Sequence, residues 1–311
     1  MIRGEQGDGL VFSSLQSLLR LQAQVRTLNL AKRHALAKHV GIHRSRFKGR
    51  GMDFAESRPY QPGDDIRTID WRVTARSGKV HTKVFQEERE KPVLIWLDLR
   101  APMFFGTRGC FKSVVAAEVT ALLLWKTLSE GDRAGGVLQD DADIQEFKPS
   151  RSRSSALHFM RQLADVTRRQ AAEKKPLQAP EQLLLESWQR LRRVTEAGTQ
   201  VFVVSDFRAV TDRALSQLAM INRQSQLVLI SVRDPFEDQL PQQERLRLTD
   251  GEKSLWVNLR QKLWRQNYEH RAERLRADLK KFTDKQHIPL IQLMTNDSVT
   301  ERLLKLGRGV R

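Results

Sequence analysis

The apolar positions of this chain first recur at helical spacing: Leu15, Leu18, Leu19, Leu21, Val25, Leu28 and Leu36 predict one or two helices between about Leu10 and His39. After Pro92 the apolar residues return as short unbroken runs. Val93-Leu94-Ile95-Trp96-Leu97-Asp98 and Val201-Phe202-Val203-Val204-Ser205-Asp206 each read as a strand buried on both faces and ending in an acid. Helical periods separate them: Phe111 to Leu128, halted by Ser129-Glu130-Gly131; about Ser154 to Arg169, with Ser154 as its cap; and Glu181 to Ala197, stopped by Gly198. Lys79 to Glu87 alternates as a strand, and Arg133–Gln139 can pair with Asp143–Phe147 across Asp140-Asp141. Further on come a helix Thr211–Asn222, a strand Leu227–Val232, and a hairpin of Arg245–Leu248 with Leu255–Asn258 about Asp250-Gly251. A long basic helix from about Leu259 to Phe282, a strand Ile288–Met294 and a helix from about Ser298 to Leu306 close the sequence. Strands alternating with helices predict an α/β fold with a mostly parallel sheet covered on both faces.

The stretch from Gly49 to Glu90 follows neither period. It sets Arg50, Arg58, Arg67, Arg72 and Arg76 among Asp53, Glu56, Asp64, Asp65 and Asp70, with Phe54, Tyr60 and Trp71 interleaved. Pro62-Gly63-Asp64-Asp65 has turn chemistry, because Pro fixes φ, Gly adopts angles closed to other residues, and Asp bonds nearby amides. The expectation is a fixed ion-pair network in which Arg67 and Arg76 grip carboxylates bidentately. The aromatic residues are expected to bury their rings there.

The pattern G-R-G-x-x-F-x-x-x-R-x-Y-x-P-G-D-D-x-R-x-I-D-W-x-x-x-A-R, from Gly49 to Arg76, resembles the signature of the bacterial family called domain of unknown function 58. Weaker similarity continues through Val93–Asp98, Lys112–Trp125, Gly131–Gly136 and Val203–Phe207. The resemblance implies a von Willebrand factor A-like (Rossmann-like) α/β domain, a MoxR-type AAA+ ATPase as partner, and no established catalytic activity. The expected organisation is a basic helical N-terminal region (1–48), a signature module of strands and turns (49–91) and an A-like α/β domain (92–311).

Charge widens the set of partners. Lys and Arg number 54 against 37 Asp and Glu, a net charge of +17, so acidic protein surfaces, nucleic acid and an anionic membrane face are all attracted. The basic run Lys32–Arg50 holds one aromatic, Phe47, and lacks the stacking platform of single-strand binders. Its histidines, His34, His39 and His43, come without the helper glutamate of a zinc helix. A single cysteine, Cys110, excludes an internal disulfide framework. With no signal-peptide pattern and no apolar window of the ~20 residues a membrane span needs, a cytoplasmic location is expected.

Open parallel sheets bind ligands beyond the carboxyl ends of their strands, where Asp98 and Asp206 fall. In A-type domains that place holds Mg²⁺ on an Asp-x-Ser-x-Ser motif and a later Asp. Here Arg100 and Pro102 stand at the two serine positions. A guanidinium offers donors only, and Pro offers no side-chain oxygen, so Mg²⁺ is disfavoured and no cofactor is expected. Arg100 either bridges Asp98 and Asp206 in place of the ion or points to solvent. No nucleophile elbow, phosphate loop or dinucleotide fingerprint is present. The expectation is therefore a non-enzymatic scaffold or adaptor in protein-complex assembly or remodelling, presenting Arg50, Arg58, Tyr60, Gly63, Asp64, Asp65, Arg67, Asp70, Trp71 and Arg76. The alternatives are a basic nucleic-acid-associated protein and a hydrolase centred on Asp64, Asp65 and Asp70.

Overall fold

The structure, a computed structural model, describes residues 7–25, 52–87, 92–107, 109–172, 181–208, 210–238, 240, 245–249, 254–258 and 262–307. Arg50, the basic run 32–50 with its histidines, and the turn at 250–251 lie outside these residues. By internal contacts the chain divides into a unit of residues 42–90 and a larger one of residues 1–41 with 91–311.

The larger unit is built on a six-stranded sheet. Its strands are β3 (Val93–Asp98), β4 (Ala134–Gln139), β5 (Ile144–Ser150), β6 (Gln200–Ser205), β7 (Gln226–Arg233) and β10 (Leu290–Met294), in the order β10-β7-β6-β3-β4-β5. All neighbours are parallel except the edge pair β4/β5. The helices are α1 (Leu15–Val25), α3 (Lys112–Ser129), α4 (Arg153–Ala172), α5 (Glu181–Val194), α6 (Asp212–Gln224), the one-turn α7 (Pro235–Asp238), α8 (Lys262–Gln286) and α9 (Val299–Gly307). A two-stranded hairpin pairs β8 (Arg245–Thr249) with β9 (Ser254–Asn258).

Alternation along the central strand sorts the core into two layers. Val93, Ile95 and Leu97 join α1, α3 and α4 in one cluster, and Leu94 and Trp96 join α5 and α6 in the other. Every residue of β3 is therefore buried, which explains its unbroken apolar sequence. Trp96 packs edge-on against Trp188 of α5, centroids 5.6 Å apart, and its indole N–H donates to Ser187 Oγ at 2.6 Å, so a large ring is buried with its polar atom satisfied. Gly136 on β4 lies so close to the Ile95 carbonyl that a Cβ would overlap it, hence the glycine in a fully buried strand.

Two expectations are corrected here. Residues 15–25 are no separate N-terminal region: Leu18 and Val25 are core residues, and Trp125 Nε1 donates to the Leu18 carbonyl at 3.2 Å. Helix α4 begins at Arg153, so Ser154 sits inside the first turn and does not cap it.

The smaller unit pairs β1 (Met52–Pro59) with β2 (His81–Glu87) antiparallel, with a bulge at Phe54/Glu56. The segment between them is not only turns: it contains a 3₁₀ turn, Ile66–Thr68, and a short helix α2 (Trp71–Ser77), which the charge density of the signature concealed.

Candidate functional site

At the carboxyl ends of the central strands a polar row crosses the sheet. Gln139 of β4 is in register with Asp98 of β3, Ser205 of β6 donates to Asp98, and Ser205 is in register with Ser231 of β7; all four are buried. The row follows from the alternation that puts Leu94 and Trp96 on this face, since the next residue in step is Asp98.

Asp98 is saturated. Its Oδ1 accepts from Arg100 Nε at 2.8 Å and the Arg100 amide at 3.1 Å, while Oδ2 accepts from Arg100 Nη2 at 2.7 Å and Ser205 Oγ at 2.6 Å. Arg100 is 1% exposed and its side-chain bonds go to Asp98, so it neither points to solvent nor bridges to Asp206, whose ion-pair partners are Lys112 and Arg208. Burial works against its charge, but Asp98 first, and Asp206 and Asp141 after it, hold its pKa above the ordinary value. Pro102 lies in the buried 3₁₀ turn Ala101–Met103, which Arg100 precedes.

The second acid has a partner that the sequence did not single out. Lys112, the first residue of α3, is 0% exposed, and its Nζ lies 2.6 Å from Asp206 Oδ2 and 2.7 Å from Glu237 Oε1. Arg208 Nη2 closes on the same Glu237 oxygen at 2.7 Å. Burial raises the pKa of the Asp206 carboxyl, yet Lys112 and Arg208 bring it below the usual carboxylate range. In the sequence Lys112 stood out only as the first residue of the weaker similarity Lys112–Trp125, and its place at the start of a mostly apolar helix was the one feature that set it apart.

A third acid ties the loops beside them. Asp234, after β7, accepts from the Thr107 amide and Oγ1, from Thr295 Oγ1 at 2.7 Å and from the Phe236 amide at 2.9 Å. These bonds, those of Thr107 foremost, hold its carboxyl low against the effect of burial.

The donor set does not fit Mg²⁺. Where an A-type site offers hydroxyl and carboxylate oxygens, this one places a guanidinium on Asp98 and an ammonium on Asp206 and Glu237, and both repel a divalent ion. Among the described residues no group of three or more His, Cys, Asp or Glu side chains could hold a metal.

In the signature unit the acids are not gathered into one centre. Asp64 Oδ2 accepts from the Gln61 amide at 2.9 Å and its Oδ1 from Arg58 Nη2 at 2.7 Å, bonds that lower its pKa in that order. The Pro62-Gly63 turn is closed by the Asp64 amide on the Gln61 carbonyl at 3.0 Å, and Gly63 has φ +104°, as the sequence expects. Tyr60 is half-buried, its hydroxyl on the Asp64 carbonyl at 3.4 Å. Asp65 caps the 3₁₀ turn through the Arg67 amide. Asp70 caps α2 through the Arg72 and Val73 amides, both at 3.2 Å, and takes Ser57 Oγ at 2.7 Å.

The expected bidentate grip by Arg67 and Arg76 is absent: both are exposed, and neither reaches a carboxylate among the described residues. The acids they were to pair with are taken up by nearby backbone amides, which are closer along the chain and already ordered. Trp71, expected to bury its ring, is 70% exposed as the first residue of the capped helix; Ile66 is 68% exposed.

Fold and site together define an α/β protein with a doubly covered, mostly parallel sheet, whose strand-end acids Asp98 and Asp206 are paired with basic side chains of its own. The chain belongs to the family described as protein of unknown function DUF58, whose profile matches residues 56–278. It is similar to an uncharacterised protein of Mycobacterium bovis, 28% identical over 234 residues that cover 75% of this chain and 71% of that one. It is also similar to the uncharacterised protein YeaD of Bacillus subtilis, 35% identical over 81 residues, 26% of this chain and 18% of that one. Among solved structures it overlaps with the conserved hypothetical protein BatB of Bacteroides thetaiotaomicron at TM-score 0.43 and 12% identity, covering 70% of this chain and 100% of that one. An aerotolerance-related membrane protein of Bacteroides fragilis overlaps at TM-score 0.41 and 13% identity, covering 70% and 97%. Among the described residues no helix of this chain is long and apolar enough to cross a membrane.

Proposed function

We propose that this protein is a non-enzymatic cytoplasmic scaffold or adaptor, acting in protein-complex assembly or remodelling with a MoxR-type AAA+ ATPase. The observation that carries this reading is the saturation of Asp98, whose two oxygens take four donors, at the place where such sheets hold their reactive groups. A carboxylate so occupied is a poor general base or metal ligand. Asp64, Asp65 and Asp70, the heart of the hydrolase alternative, are each committed to a turn or helix end. The net charge of +17, with exposed Arg67, Arg72 and Arg76 beside exposed Ile66 and Trp71, favours an acidic protein partner with an apolar anchor point.

The test is affinity capture with the tagged full chain from nuclease-treated native lysate at low and high salt. Recovery of an AAA+ ATPase, lost in a Trp71→Ala, Arg76→Glu variant that keeps its fold, is the expected outcome. Recovery of nucleic acid and ribosomal material alone, lost in high salt, would overturn it in favour of a basic nucleic-acid-associated protein.

A further inference from the structure

We infer that the cation which organises this face of the sheet is part of the chain itself. Lys112 on Asp206 and Glu237, with Arg100 on Asp98, does the work that a divalent ion does in an A-type domain, and the loop cluster assembles without metal.

Three loops meet at Lys112 and its partners. Asp206 follows β6, Glu237 lies in α7 after β7, and the ammonium bridges one oxygen of each at 2.6 and 2.7 Å. Two carboxylates from different loops sharing one compact cation is the arrangement a bound ion would impose. An ammonium with three donors on a flexible stem can imitate it.

Its location has no helical explanation. A lysine at the first position of the 18-residue α3 stands at the positive end of the helix dipole, where an acid is favoured and a cation is not. Burying it fully adds a desolvation cost that only close counter-charges offset. The two carboxylates therefore dictate its place.

The charge balance points the same way. Asp98, Asp206 and Glu237 face Arg100, Lys112 and Arg208 at bonding distance, so each of these acids already has a cation of the chain's own, and Asp234 beside them is satisfied by Thr107, Thr295 and the Phe236 amide. A divalent ion would have to displace Lys112 to reach the two carboxylates it bridges.

If the adaptor reading holds, engagement of a partner at this face is insensitive to chelators. The experiment needs no partner, so the two ideas fail separately. Thermal unfolding of the full-length wild-type chain is followed in EDTA and in millimolar Mg²⁺ or Mn²⁺, with equilibrium dialysis against Mn²⁺ alone. Unchanged Tm and no saturable uptake are expected; a saturable site with a raised Tm would overturn the inference without recourse to any variant. Lys112→Met should lower Tm by roughly 5–10 °C, because two acids lose their counter-charge. Adding Asp206→Asn and Glu237→Gln to it should recover part of that loss, and a Lys112→Met protein as stable as wild type would sink the idea.

Discussion

Arg100 grips Asp98, two residues before it, through two parallel hydrogen bonds, Nε to Oδ1 at 2.8 Å and Nη2 to Oδ2 at 2.7 Å, with both side chains almost wholly excluded from water. The Arg100 amide also donates to Asp98 Oδ1, so the pair fixes the exit of the central strand into the 3₁₀ turn Ala101–Met103. Arg100→Ala should cost about 3–5 kcal/mol by leaving a buried acid without its counter-charge. Arg100→Lys keeps the charge but not the fork and should cost about 1.5–3 kcal/mol. Chemical denaturation of the three proteins checks the order.

The signature unit should answer differently to its two kinds of charged residue. Asp70→Ala removes the cap of α2 and the acceptor of Ser57 Oγ, so local protection of residues 71–77 in hydrogen exchange should fall sharply. Arg67→Ala, at an exposed position, should change stability by no more than about 0.5 kcal/mol. Equal losses in both would restore the Arg67 ion pair that the geometry lacks.

Gly109, with φ +84°, lies against the Thr295 carbonyl, and a Cβ there would overlap it. Gly109→Ala should destabilise by clearly more than the about 1–2 kcal/mol that the left-handed backbone angle costs by itself, because the close approach adds to it. Gly131→Ala, with a similar φ of +77° and open space around it, should lose only about 1–2 kcal/mol. Unfolding midpoints of the pair separate the steric from the conformational part.

Stability should fall in acid, with a sign set by the strand-end acids. Asp206 and Asp234 titrate below their ordinary value of 3.8 in the folded chain. Their contribution is complete above that value and disappears as pH falls through the lower folded values. Glu118 works the other way, because burial raises its pKa and its ionisation on going to neutral pH weakens the fold. Tm measured from neutral pH downward should thus hold or rise slightly before it drops below about pH 4. Asp234→Asn should flatten the drop, and Glu118→Gln should raise Tm at neutral pH.

The sequence by itself determined the layered fold. Unbroken apolar runs at Val93–Leu97 and Val201–Val204 leave only a doubly buried strand, and the helical periods between them force parallel crossovers. It also determined the Gly63 turn, whose residues act on their immediate neighbours. Tertiary structure decided the rest. Helix α2 was hidden because its cap, Asp70, reads equally well as an ion-pair partner, and only the position of the following amides chose between them. Lys112 was illegible for a stronger reason: Asp206 and Glu237 lie 94 and 125 residues further along, and nothing in a linear pattern marks three charges that only the closure of the sheet brings together.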